Sequence, residues 1–344
     1  MTISQPANER ACGADDELGS CRLGLILVSR VPAGLTVLAV SKPYPPGHMT
    51  LRDWALVILV GCLFGSSFLL IAIVLEEVSP LTIAAGRSLV AALACWTLLL
   101  LSRKALPRDR STMLKLCLLG LFSYALPFVL MPISQRYVST GIVAIINLLL
   151  PIATLAVSHA WPGGPRATRT MAIGAGIGLV GAVVLALPSL TGSEEGQLLG
   201  IALCLCGTLI FAISFNVTRS FAGTDPQVIM TFAMTGAALG ALPAALLIDG
   251  LPSVANVSTW WAWVALGLFP TALNFQIMYW MLPRVGATNF ATNTYISPIV
   301  ALVLGWALLG ETLQPIQALG MVIVVAGLLV MDGRLASWMR RARA

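Results

Sequence analysis

From residue 51 the chain is a succession of apolar runs, each about as long as a bilayer-spanning helix, which needs about 20 mainly apolar residues. Ten runs qualify: 53–75, 79–101, 113–133, 138–160, 169–188, 198–218, 226–248, 260–281, 287–309 and 314–332. The breaks between them are short and carry Pro, Gly or charge: EEVSP, RKALPRDR, PGGPRATR, SLTGSEEG and DGLPS. The pattern predicts an all-α integral membrane protein of ten transmembrane helices.

The runs fall into two matching sets. GLFSYALPF at 120–128 returns as GLFPTALNF at 267–275, with six of nine residues identical at an offset of 147. Pro151 and Pro298 share that offset, as do Met131 and Met278, while Gly61 with Pro80 returns as Gly207 with Pro226 at 146. Each half therefore holds five spans. Five is odd, so the second half enters the membrane from the opposite side, giving two inverted-topology five-helix repeats of the kind transporters use. The expected organisation is a leader over 1–50, a first repeat over 51–190, a second over 196–333 and a basic tail over 334–344.

Lys and Arg fix the orientation, because cytoplasmic loops carry them in excess. Arg103, Lys104, Arg108, Arg110, Arg166, Arg169, Arg219, Arg284 and the C-terminal arginines fall on alternate breaks. The other breaks have none except Arg136. Both termini are expected in the cytoplasm, and the protein in the cell (inner or plasma) membrane. Residues 1–50 fit poorly as a further span, with Arg30 and Pro32 inside a short apolar stretch. The expectation is a disordered leader, or an over-extended start with Met49 as initiator.

Composition excludes a soluble fold. The chain is 58% hydrophobic and 10% charged, against about 25% charged in soluble domains. The net charge of +6 does not point to nucleic acid, since no basic surface interleaved with aromatic residues accompanies it. Seven scattered cysteines suggest no disulfide framework. Cys204 and Cys206 point about 200° apart on a helix and cannot easily grip one ion. GIGLVG at 176–181 fits a dinucleotide fingerprint by letter only, because it lies inside a span rather than between strand and helix. Gly174 with Gly178, Gly61 with Gly65 and Gly236 with Gly240 are better taken as close-packing faces. No metal, cofactor or catalytic residue is expected: two histidines and no mid-membrane acid argue against an enzyme.

The stretch 284–331, RVGATNFATNTYISPIVALVLGWALLGETLQPIQALGMVIVVAGLLVM, resembles the second EamA domain of the drug/metabolite transporter superfamily. WALVILVGCLFGSSFLL, SPLTIAAGRSLVAALA and RYVSTGIVAIINLLLPIATLAV resemble the first. The most specific element is a Pro thirteen residues before Gly-Glu: Pro298, Gly310, Glu311. The first half departs, with Gly164 thirteen residues past Pro151 and no glutamate. The resemblance implies a ten-helix permease, often an exporter of amino acids or other small metabolites, working by alternating access. A non-transporting receptor or scaffold on the same fold is the alternative. The expected partners are a small-molecule substrate and the bilayer, not nucleic acid, with a homodimer left open.

Arg87 leads the candidate site residues. It lies about 10 Å into the second span, where a charge is costly and usually kept for a reason. It contacts an anionic substrate or a gating pair, or else it snorkels toward Glu76, Glu77 or helix-end carbonyls. Tyr124, Asn147, Thr271, Asn274, Asn293 and Tyr295 are the other binding candidates, since polar groups in lipid need partners or a wet cavity. Glu311, Pro151 and Pro298 are gating or structural candidates. Pro127, Pro151, Pro270 and Pro298 would free backbone carbonyls and mark four helices as lining the pathway. The positions that differ between the two nine-residue phrases, such as Tyr124 and Thr271, are where substrate choice is expected to be set.

Overall fold

A computed structural model describes residues 50–107, 109–161, 167–191, 196–221, 223–285, 290 and 292–331. The leader, the basic tail, Gly164 and the side chains of Arg219 and Arg284 lie outside what it describes. Among the described residues every regular element is helical. The elements are α1 (Leu51–Leu75), α2 (Pro80–Leu101), α3 (Arg110–Gly120), α4 (Leu126–Gln135), α5 (Thr140–Asn147), α6 (Leu150–Ala160) and α7 (Arg169–Thr191). They continue with α8 (Gln197–Arg219), α9 (Pro226–Ile248), α10 (Val257–Gly267), α11 (Asn274–Val285), α12 (Thr292–Leu309) and α13 (Pro315–Met331). Among the described residues seven helices are long and apolar enough to cross a membrane, and Asn293–Leu309 and Pro315–Met331 are apolar but shorter.

Local chemistry starts these helices where the polar breaks end. Thr50 and Asp53 cap α1 reciprocally, and Ser79 followed by Pro80 opens α2. Asp109, Ser139 and Asp225 accept the first backbone N–H groups of α3, α5 and α9. Each such cap satisfies an N–H with no partner inside its helix.

Three of the expected continuous spans are interrupted. A π turn over Leu121–Ala125 joins α3 to α4, and a second over Leu268–Leu273 joins α10 to α11. Turns at Leu148 and Leu149 separate α5 from α6. Both π turns fall on the twice-written nine-residue phrase. Proline supplies the cause, because it removes the bond to the carbonyl four residues back. At Pro270 that carbonyl is Leu266, and the Thr271 hydroxyl donates to it at 2.7 Å.

Glycine faces let the helices close up as their spacing predicts. A Cβ on Gly174 would lie 2.6 Å from the Gly327 carbonyl oxygen, and one on Gly181 2.8 Å from that of Gly320, so α7 and α13 touch backbone to backbone. Gly61 and Gly65 do the same for α1 against α12, and Gly236 for α9 against α3. Gly176, within the false fingerprint, has nothing within 4 Å. The packing partners recur with the halves exchanged. α1 lies on α12 as α8 lies on α5 and α6; α3 lies on α9 as α10 lies on α2; α2 meets α9 and α7 meets α13.

Candidate functional site

The second helix, α2, packs against both π turns and carries Arg87. Its side chain is 5% exposed. Nε donates to the Thr271 hydroxyl at 2.8 Å, and the guanidinium carbon sits 3.9 Å from the centre of the Phe128 ring. It does not reach toward Glu76, Glu77 or a helix end. Glu77 is held elsewhere, and a snorkelling arginine would forfeit a shielded ring face. Among the described residues the ion pair present is Lys104 with Asp225, at 2.7 Å. Arg87 has no carboxylate partner there, although a buried charge ordinarily requires one.

Tyr124 lies beside it, 3% exposed. Its ring meets Phe275 edge-on at 5.5 Å, Phe211 at 6.2 Å and Phe128 at 6.0 Å. Its hydroxyl is 3.3 Å from that of Tyr279. Asn274, 1% exposed, begins α11 next to Phe275, and its Oδ1 has no hydrogen-bond partner. The structure thus brings Arg87, Tyr124, Thr271 and the backbone of Asn274 into one neighbourhood.

The remaining candidates make contacts of their own. Asn147 is buried, with Nδ2 3.5 Å from the Met131 sulfur and Oδ1 unpartnered. Cys204 shares that sulfur at 3.8 Å, while Cys206 is exposed, as opposite-pointing residues should be. Asn293 Nδ2 donates to the Phe290 carbonyl at 2.5 Å. Tyr295 is half-buried against the main core. Pro151 stands just after the α5–α6 break and Pro298 within α12. His159 accepts from the Ala167 N–H at 3.1 Å, a helix-end bond.

Acidic side chains organise one end of the bundle. Gly310, at φ +67°, turns the chain after α12 in the left-handed region that favours glycine. Glu311 then accepts from the Thr140 and Gly141 N–H groups at 2.8 and 3.2 Å, at the start of α5. This gating or structural candidate caps a helix of the other half. Asp249 accepts from Ser79 and, at 2.7 Å, from Thr82 at the start of α2. Glu77 accepts from Thr259, the Asn256 amide and the Ala255 and Asn256 N–H groups before α10. These donors, the Thr259 hydroxyl foremost, outweigh the small desolvation and bring the Glu77 carboxyl down to about 2. At the same end an open cavity of about 660 Å³ is lined by Glu76, Gln135, Arg136, Thr140, Glu311 and Gln317.

Sequence reasoning missed Phe128, Phe211, Phe275 and Tyr279. Phe128 and Phe275 had a signal: they are the shared last letter of the repeated phrase. Tyr279 and Phe211 had none, because only the tertiary contact sets them apart from other apolar-run aromatics.

A helical bundle with an apolar exterior, a two-part internal repeat and a buried arginine in its interior is a multi-pass membrane protein of the transport type. The chain belongs to the EamA-like transporter family, whose model matches residues 53–187 and again 198–331. It is 30% identical over 277 residues to the inner membrane transporter YedA of Escherichia coli strain K12, covering 79% of this chain and 88% of that one. It is 25% identical over 245 residues to a probable terminal-alkyne amino-acid exporter of Streptantibioticus cattleyicolor, covering 69% and 78%. A solved crystal structure shares the fold at a TM-score of 0.61 and 18% identity, over 85% of this chain and 99% of the other. The protein is therefore a membrane transporter.

Proposed function

We propose that this transporter is a secondary permease exporting a small carboxylate-bearing metabolite, such as an amino acid or a related compound. The observation that carries the proposal is Arg87: a buried guanidinium with a hydroxyl and a ring face for partners and no protein carboxylate. A solute carboxylate supplies the missing counter-charge through charge-assisted hydrogen bonds, which are roughly twice as strong as neutral ones. The aromatic side chains of Tyr124, Phe211 and Phe275 then receive the apolar part. The amino-acid exporter among the relatives supports this class of solute.

Ten spans in two inverted halves, with both termini cytoplasmic, accommodate the rest. The exchange of packing partners between halves fits a pseudo-two-fold relation. Exposed Trp260, Trp261 and Trp306 fall toward the acidic end, and Trp54, Trp161 and Trp280 toward the Lys104 end, as two interfacial belts would. The acidic end then faces outward. Alternating access proceeds by rocking of the halves about the central cluster.

The test is flux in proteoliposomes of L-phenylalanine, L-threonine and pyruvate, each beside the carboxamide that lacks its carboxylate charge. Carboxylates move and amides do not. Equal flux of acid and amide, or equal flux by Arg87→Gln at equal reconstitution, defeats the proposal.

A further inference from the structure

The Arg87–Phe128 contact joins the charge to a buried set of packed aromatic rings. Phe128 is 1% exposed. Its ring packs on Phe211 of α8 at 6.3 Å and on Tyr124 at 6.0 Å, and Tyr124 packs on Phe275 of α11. One ring of the first half thus leads into a set that closes against rings of the second. Arg87 lies over the face of that ring, the electron-rich side that attracts a cation. Its other contact, Thr271, belongs to the π turn of the opposite half. A single side chain of the first half therefore contacts a ring of its own half and a hydroxyl of the other.

We infer that the Arg87–Phe128 cation–π contact is a ligand-released latch: a solute carboxylate that takes the guanidinium detaches it from Phe128 and lets the aromatic barrier open. The inference rests on Arg87 being the carboxylate subsite and adds what occupancy does. The argument is one of competition. The guanidinium has five N–H donors, and only Nε has a hydrogen-bond partner among the described residues. A carboxylate pairs with two of the in-plane donors and neutralises the charge that holds the guanidinium over the ring face, which weakens its hold on Phe128. Phe128 then loses the contact that fixes it, and the rings of α8 and α11 lose their anchor in the first half. A neutral solute of the same shape offers no such exchange and leaves the barrier shut. The latch makes opening conditional on the right charge, which keeps a transporter without cargo from leaking.

Hydrogen exchange of the full chain in nanodiscs, followed over residues 120–135, tests the latch. Without any ligand, Phe128→Leu and Arg87→Met both speed exchange there about tenfold, the factor expected on losing a shielded cation–π contact, while residues 169–191 keep their wild-type rates. In the wild type, L-phenylalanine speeds exchange over 120–135 and phenylalaninamide does not. Wild-type rates over 120–135 in both ligand-free variants overturn the latch, as does a rise spread evenly over the chain. Failure of the underlying site is seen separately, as a thermal shift with L-phenylalanine that survives in Arg87→Met. A shift abolished in Arg87→Met with unchanged exchange in the liganded wild type keeps the site and overturns the latch.

Discussion

Gly120 is the position at which one methyl group does most harm. It ends α3 immediately before the first π turn, against α9. A Cβ there lies 1.7 Å from the Ala233 carbonyl oxygen and 2.5 Å from its carbon, where ordinary contact begins near 3.4 Å. Those atoms are backbone, so no rotamer change relieves the overlap. The two helices must separate by more than an ångström, which loosens the packing of Gly236 on the Cys117 carbonyl as well. Overpacking costs typically 1–3 kcal/mol, and a rigid backbone wall puts Gly120→Ala at about 3 kcal/mol or more. For a chain of this size, with an unfolding entropy of about 2 cal/mol/K per residue, that is a fall of about 4 °C in unfolding midpoint. Gly176→Ala is the control: it has nothing within 4 Å, and alanine gains up to about 1 kcal/mol over glycine inside a helix. Thermal unfolding of both variants in one detergent, read by tryptophan fluorescence, checks the ranking. Equal midpoints for Gly120→Ala and Gly176→Ala would refute the claim that these helices meet backbone to backbone.

Other outcomes follow from the same structure. Glu311→Gln keeps the shape but loses the charge that caps α5, and it lowers stability by about 1 kcal/mol; an unchanged midpoint would remove Glu311 from the cap. The Glu77 carboxyl is lowered from 4.5 to about 2 in the folded protein. Its contribution is therefore complete above about pH 4.5 and is lost as pH falls toward 2. Melting between pH 5 and 2 shows a shallower acid slope for Glu77→Gln than for the wild type, and identical slopes would contradict this. Tyr124→Phe keeps the ring but breaks the hydroxyl pair with Tyr279; it costs about 1 kcal/mol and shifts preference among carboxylate solutes in a competition flux assay, whereas an unaltered order of preference would take Tyr124 out of the specificity site.

Much of the fold was written locally. Capping residues, length of apolar runs and Gly spacing act within a few turns of the chain, so the helix starts at Thr50, Ser79, Asp109 and Asp225 could be read directly. The repeated phrase announced that its two copies do the same job. It did not say that the job was a π turn, because the extra residue is a tertiary accommodation of Pro127, Pro270 and the crossing helix. Arg87 was identifiable by its cost alone. Its partner was not: Thr271 is 184 residues away, while the acids Glu76 and Glu77 lie nearer in sequence. Glu311 stood out as a gating or structural candidate, but its partner in α5, 170 residues earlier, is set only by the tertiary fold. Contacts between halves decide the site, and periodicity within one half carries no record of them.

The central claim is that Arg87 holds the carboxylate of the transported solute. Flux of a responding carboxylate and its amide into proteoliposomes, compared between wild type and Arg87→Gln at equal reconstitution, measures it directly. The account predicts carboxylate flux far above amide flux in the wild type, and carboxylate flux reduced to the amide level in Arg87→Gln. Carboxylate flux in Arg87→Gln equal to the wild type would contradict it.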